Sequence, residues 1–104
     1  MISQENENVD LVENILGSKA RLKVIKALAL NSELSITQII KKTKLNHKNV
    51  ITHLNYLKTL NLVQEKRFGR IKIFRYKLEN LRANSLKKFI QIWESNAYNN
   101  DRSI

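Results

Sequence analysis

The chain of 104 residues contains no cysteine, no proline and only two glycines, Gly17 and Gly69. Without cysteine there is neither a disulfide framework nor a thiolate metal site, which is the composition expected of an intracellular protein. Without proline, and with so little glycine, regular structure should dominate and each glycine should mark a boundary. No apolar run approaches the roughly 18 residues of a membrane span, so no membrane-spanning segment is expected. The opening MISQENENVD is polar and acidic, unlike a signal or transit peptide. Acidic residues are also scarce, nine against nineteen Lys and Arg, for a net charge of +10. In a chain this short, such an excess points to an anionic partner, nucleic acid or an anionic membrane surface. Fifteen of the bases fall in residues 19–78, where only Glu33 and Glu65 oppose them, whereas residues 1–18 hold four acids and no base. The length is that of a single domain over 1–104.

The parts of an enzyme are missing as well. There is no glycine-rich phosphate loop and no cluster of carboxylates. Asp10 and Asp101 lie in terminal segments expected to be loose, whereas a catalytic triad needs its members fixed. No cofactor and no metal is expected. The only histidines, His47 and His53, sit six apart on different faces of one expected helix, with no cysteine to complete a ligand set.

What is present centres on residues 45–63, LNHKNVITHLNYLKTLNLV. Val50, Leu54 and Leu57 recur at steps of four and three, one buried stripe of a helix. The other side carries His47, Lys48, Asn49, Thr52, His53 and Tyr56, which suit phosphates and base edges and include no acid. Asn46 stands at the N-cap position, at the edge of the same set. Alone, this helix reads either as the recognition helix of a helix-turn-helix or as a core helix with an ordinary solvated face. His53 fits the outward set, or else a half-buried position beside Leu54.

The surrounding sequence favours a DNA-reading unit. Val9, Leu11, Val12, Ile15 and Leu16 form the apolar face of a short helix over 9–16. Gly17 suits a left-handed C-cap there, and Ser18 caps the next helix, 19–30, in which Leu22, Ile25, Leu28 and Ala29 face inward. Asn31, Ser32 and Glu33 read as a turn. Ser35 with Gln38 fits a capping box opening a helix over 36–43 that buries Ile36, Ile39 and Ile40. Two helices joined by so short a turn make a helix-turn-helix. Residues 62–68 and 71–78 then read as a β-hairpin with Phe74, Tyr76 and Leu78 facing the core and Arg67-Phe68-Gly69-Arg70 at its tip. Lys66, Arg67, Arg70 and Lys72 are placed to meet phosphates or a minor groove. Lys41, Lys42 and Lys44 either join them or complement the dipole of their own helix. A last helix over 80–97 carries Leu86, Phe89, Ile90 and Trp93 at i, i+3, i+4 and i+7. These residues, with Val9, Val12 and Leu16, form either a two-fold dimer interface or packing within the domain. Residues 1–8 and 98–104 are expected to be loose tails.

The stretches GSKARLKVIKALAL, LSITQIIKKTKLNHKNVITHLNYLKTLNLV and EKRFGRIKIFRYKL resemble the ArsR-like winged helix-turn-helix regulators over roughly residues 11–78. Thr52, His53, Leu54, Leu57, Leu62 and Val63 carry the closest likeness. The resemblance implies a mainly α fold with a small β-hairpin, a winged helix-turn-helix whose N- and C-terminal helices serve dimerisation. It also implies DNA binding. Metal-sensing members carry paired cysteines on the first helix of the helix-turn-helix, or His and acidic ligands on the last helix. Residues 36–43 here hold no cysteine, and the last helix holds no His and only Glu94 well inside it, so metal sensing does not carry over. The expectation is therefore a homodimeric, sequence-specific double-stranded DNA-binding transcriptional regulator, cytoplasmic and nucleoid-associated, with operator and small-molecule effector left open. The alternatives are a non-specific chromatin architectural protein and a winged-helix protein-interaction module.

Overall fold

Ser18 turns the chain from one helix into the next, and its hydroxyl accepts the Arg21 N–H at 3.1 Å. The computed structural model describes the backbone of residues 11–103 and the side chains of residues 11–95. Helix α1 is Val12–Leu16 and α2 is Lys19–Asn31; β1 is Glu33–Ser35, α3 is Ile36–Thr43 and α4 is His47–Thr59. Strands β2, Val63–Phe68, and β3, Ile71–Tyr76, lead to α5, Leu81–Ser103. Val9 and the expected N-terminal tail, 1–8, lie outside the described residues.

Gly17 marks the expected boundary but not by the expected conformation: its φ is −79°, right-handed. Its N–H donates to the Glu13 carbonyl at 2.7 Å, and a β-carbon at this position would collide with that same oxygen. Glycine serves here as room for a close approach.

The helix-turn-helix is fixed at both ends by side chains. Ser35 and Gln38 form both halves of the capping box, at 3.2 and 2.9 Å. Helix α3 stops at Lys44 in the left-handed region, φ 63°. Thr43, buried at the end of α3, donates to Ile39 O at 2.7 Å and accepts from Leu45 N at 3.3 Å, which closes the turn. The Asn46 carboxamide oxygen then accepts from Asn49 N at 2.8 Å and starts α4.

The expected turn at 31–33 is in part a strand. Glu33–Ser35 pairs antiparallel with β3, Leu34 opposite Phe74, so the hairpin becomes a three-stranded sheet of order β1-β3-β2. Leu34 is buried in the core, which ties the segment down. In the hairpin, Phe68 pairs with Ile71 across Gly69 and Arg70. Only Gly69 of the two has a positive φ, 62°, the pattern of a type II′ turn.

The core joins Val24, Ile25 and Leu28 of α2, Ile39 of α3, Val50, Leu54 and Leu57 of α4, and Phe74 and Tyr76 of β3. Helix α5 closes it with Ala83 and Ile90. The buried Tyr76 hydroxyl donates to Ala83 O at 2.7 Å, and burial pushes its pKa up to about 12. Asn80 caps α5 by accepting from Ala83 N at 3.1 Å and donates to Asn61 O at 3.1 Å. Lys26 of α2 pairs with Glu94 of α5 at 2.9 Å. Two expectations change here. Helix α5 does not end at 97 but runs to Ser103, because no glycine or proline interrupts it. Ile90, expected at a dimer surface, is only 6% exposed and belongs to the core of its own domain.

Candidate nucleic-acid interface

Helix α4 is pinned by Val50, Leu54 and Leu57, all fully buried. At about 100° per residue, the side opposite that stripe carries Lys48, Thr52, Asn55 and Thr59, with Asn49 beside them. All five are exposed, as are Asn46 and His47 at the first turn. Thr52 spends its hydroxyl proton on Lys48 O at 2.9 Å, which leaves the exposed oxygen as an acceptor. Asn55 was missed from the sequence, although it lies three residues beyond Thr52 and the same spacing could have found it.

His53 and Tyr56 do not share this outward face. Both are half-buried against α2, where Arg21 holds them. The Arg21 Nε donates to His53 Nδ1 at 3.3 Å, and its guanidinium carbon sits 3.8 Å from the centroid of the Tyr56 ring. Its Nη1 donates to Asn14 O, within α1, at 2.5 Å. Burial, and then the Arg21 charge, lower the His53 pKa from its ordinary 6.5. One guanidinium thus ties α1, α2 and α4 together, a node that no motif in the sequence announces.

The four wing cations divide in the same way. Lys66 pairs with Glu33 at 2.9 Å, and Lys72 lies 3.9 Å from Glu65, which Lys58 of α4 holds at 2.7 Å. Lys58 first, then the charges of Lys72 and Arg67, lower the Glu65 pKa. Arg67 and Arg70 are exposed and make no hydrogen bond or ion pair among the described residues. Arg75, farther along β3, is occupied: it clasps Glu79 through two nitrogens at 3.1 and 2.8 Å and holds that carboxyl at about 2. Lys41, Lys42 and Lys44 are exposed at the end of α3.

A second surface is apolar. Val12, Leu16, Phe89 and Trp93 are exposed, Trp93 by 66%, and the rings of Phe89 and Trp93 stack at 5.9 Å. Between α1 and α5 runs an open groove of about 410 Å³, lined by Val12, Leu16, Leu60, Leu86 and Phe89 among others. Among the described residues no helix is long and apolar enough to cross a membrane.

Residues 18–65, which span α2 through α4 and enter β2, match the family model described as bacterial regulatory protein, arsR family. Over that stretch the helix-turn-helix is similar to that of arsR-family regulatory proteins. The matched model describes bacterial regulatory proteins, and with the fold it marks the segment as a DNA-binding regulator's helix-turn-helix. Solved structures share the winged-helix fold across most of the chain. Reduced HlyU from Vibrio cholerae superposes with a TM-score of 0.68 at 14% identity, covering 86% of this chain and 92% of that one. The antimony-specific transcriptional repressor AntR gives 0.70 at 18%, covering 93% and 86%. The repressor PagR of Bacillus anthracis gives 0.65 at 21%, covering 86% and 99%. No curated protein matches the chain in sequence.

Proposed function

We propose that this chain is an arsR-type regulator that works as a homodimer and presents two α4 helices to successive major grooves of an operator. Lys48, Asn49, Thr52 and Asn55 meet base edges, and Asn46 and His47 meet the adjoining backbone. An asparagine can pair with adenine, and a threonine methyl can pack on a thymine methyl. Arg67 and Arg70 reach the flanking backbone or minor groove. Lys66 and Lys72 contribute less, since each already faces a carboxylate. His53 and Tyr56 support α4 from behind. The dimer forms through α1 and α5 by way of Val12, Leu16, Leu86, Phe89 and Trp93, in the cytoplasm where the chromosome is. The observation that carries this reading is the acid-free outward face of α4 within the segment that matches the family model.

The test begins with selection of bound sequences from random duplex DNA. The variants Asn49→Ala, Thr52→Ala, Arg67→Ala and Arg70→Ala are then measured on the selected and on scrambled duplexes. Each helix substitution should cost about 1–3 kcal/mol on the selected sequence and relax preference at one position. Each wing substitution should weaken both duplexes by a similar factor. Selection that returns no consensus would make the chain a non-specific architectural protein instead.

A further inference from the structure

The tip of the hairpin carries an apolar pair where turn chemistry favours polar residues. Phe68 and Ile71 face each other across the strands and are 59% and 58% exposed. The register shows which way they point. Val63 with Tyr76 and Glu65 with Phe74 lie on the core side of the sheet, so Lys66 with Ile73 and Phe68 with Ile71 lie on the opposite side. Neither Phe68 nor Ile71 is part of the core or packed on it. On their own face the Lys66 ammonium lies 5.7 Å from the centre of the Phe68 ring; Arg70 stands beside them in the turn, and Arg67 with Lys72 opposite it flank them on the other face of the narrow tip. From residue 66 to residue 74 there is no acid. Gly69 keeps the tip narrow, with open space where a side chain would stand.

A projecting ring on a narrow tip with cations on both of its faces complements a surface with anionic walls and stacked bases that can be parted. The minor groove of duplex DNA is such a surface, with phosphates along its rims and stacked base pairs at its base. We infer that the wing tip is a minor-groove wedge: Arg67 and Arg70 hold the rims while Phe68, backed by Ile71, presses into one base step and partly unstacks it. This rests on the DNA-binding reading of α4 and adds a second source of sequence preference. A wedge favours steps that unstack readily, such as TA and CA, at positions the recognition helix never touches.

The test uses the full chain and its selected operator, with 2-aminopurine placed in turn at each step of the flanks and the bend measured by energy transfer between the duplex ends. Wild type should raise 2-aminopurine emission at one flanking step in each half and bend the duplex there. Phe68→Ala should abolish both signals and reduce the preference for a TA over a GC flank by about tenfold, the size of one lost base-pair preference. Phe68→Thr, which retains strand propensity and so a formed hairpin, should behave like the alanine variant. Phe68→Trp should restore emission and bend. Unchanged bending in both ring-less variants overturns the wedge. So does wild-type binding with flat emission at every step, which leaves the role of α4 standing. Ring-dependent binding to anionic phospholipid vesicles, with DNA binding indifferent to Phe68, would make the tip a membrane contact and also overturns it. A wild type that binds no duplex at all removes both this inference and the reading beneath it.

Discussion

Arg21 offers the sharpest test of how the recognition helix is held. Its guanidinium donates to Asn14 O at 2.5 Å and to His53 Nδ1 at 3.3 Å, and lies 3.8 Å from the centre of the Tyr56 ring. A hydrogen bond from a charged donor is worth about 1.5–3 kcal/mol, and the half-exposed site puts the Asn14 contact near the lower figure. The ring contact adds about 0.5–1 kcal/mol and the long bond to His53 less. Arg21→Ala should therefore lose about 2–3 kcal/mol, which for a domain of this size lowers the melting temperature by roughly 10–20 °C. Arg21→Lys should recover less than half, because one ammonium cannot serve three directions. A double-mutant cycle with Tyr56→Leu isolates the ring term. The same node predicts a pH dependence. The His53 pKa is lowered in the folded state, by burial first and by Arg21 second, so the folded protein binds fewer protons than the unfolded chain. That stability is fully present above the ordinary value of 6.5 and is lost as pH falls through the lowered folded value. In Arg21→Ala, the His53 titration followed by NMR should move up toward 6.5. Refutation would be an Arg21→Ala protein that melts within a degree or two of wild type with His53 titrating unchanged.

Three further outcomes follow from the same geometry. Ile90 and Trp93 should separate stability from assembly: Ile90→Ala should cost about 2–4 kcal/mol in chemical denaturation. Trp93→Glu should leave the fold intact and yield monomers in sedimentation, and a monomeric wild type at tens of micromolar would remove the dimer. Tyr76→Phe should cost about 1 kcal/mol through the lost bond to Ala83 O. It should also abolish an alkaline loss of stability that wild type shows as pH rises from 10 toward 12, the span between the ordinary and the folded pKa. The slope of log affinity against log salt for duplex DNA should be steep, and Arg67→Ala or Arg70→Ala should each reduce it by about 0.9, with Lys66→Ala reducing it less.

Most of the fold was readable because its signals are local. Ser35 with Gln38, Asn46 before the Val50–Leu54–Leu57 stripe, and Gly69 between two β-rich runs each act within a few residues of where they stand. Strand β1 was not readable, because three residues cannot show an alternation. Its evidence is Leu34 lying opposite Phe74, forty residues away. The half-buried place of His53 was one of the two that the sequence left open, but that of Tyr56 was not legible, for a related reason. On a wheel they border the outward face, and what draws them back is the Arg21 guanidinium on another helix.

Helix α5 shows where periodicity stops being informative. Leu86, Phe89, Ile90 and Trp93 satisfy one helical stripe, and sequence alone assigns that stripe to a single neighbour. The structure splits it. Ala83 and Ile90 turn into the domain, Leu86 sits at the edge, and Phe89 and Trp93 turn out, stacked on each other. A stripe about 100° wide can touch two bodies at once if the helix lies at the rim of a small core. That position follows from the size of the core: α2, α4 and the sheet already enclose Leu28, Leu54 and Phe74, so one row of α5 is enough to close it. The row left over is too large and too aromatic to suit solvent, and it continues the exposed Val12 and Leu16 of α1 along a shared groove. The same helix that completes the monomer core thus carries the surface on which a second copy would assemble. A substitution on α5 should therefore be interpreted only after its side of the helix is known.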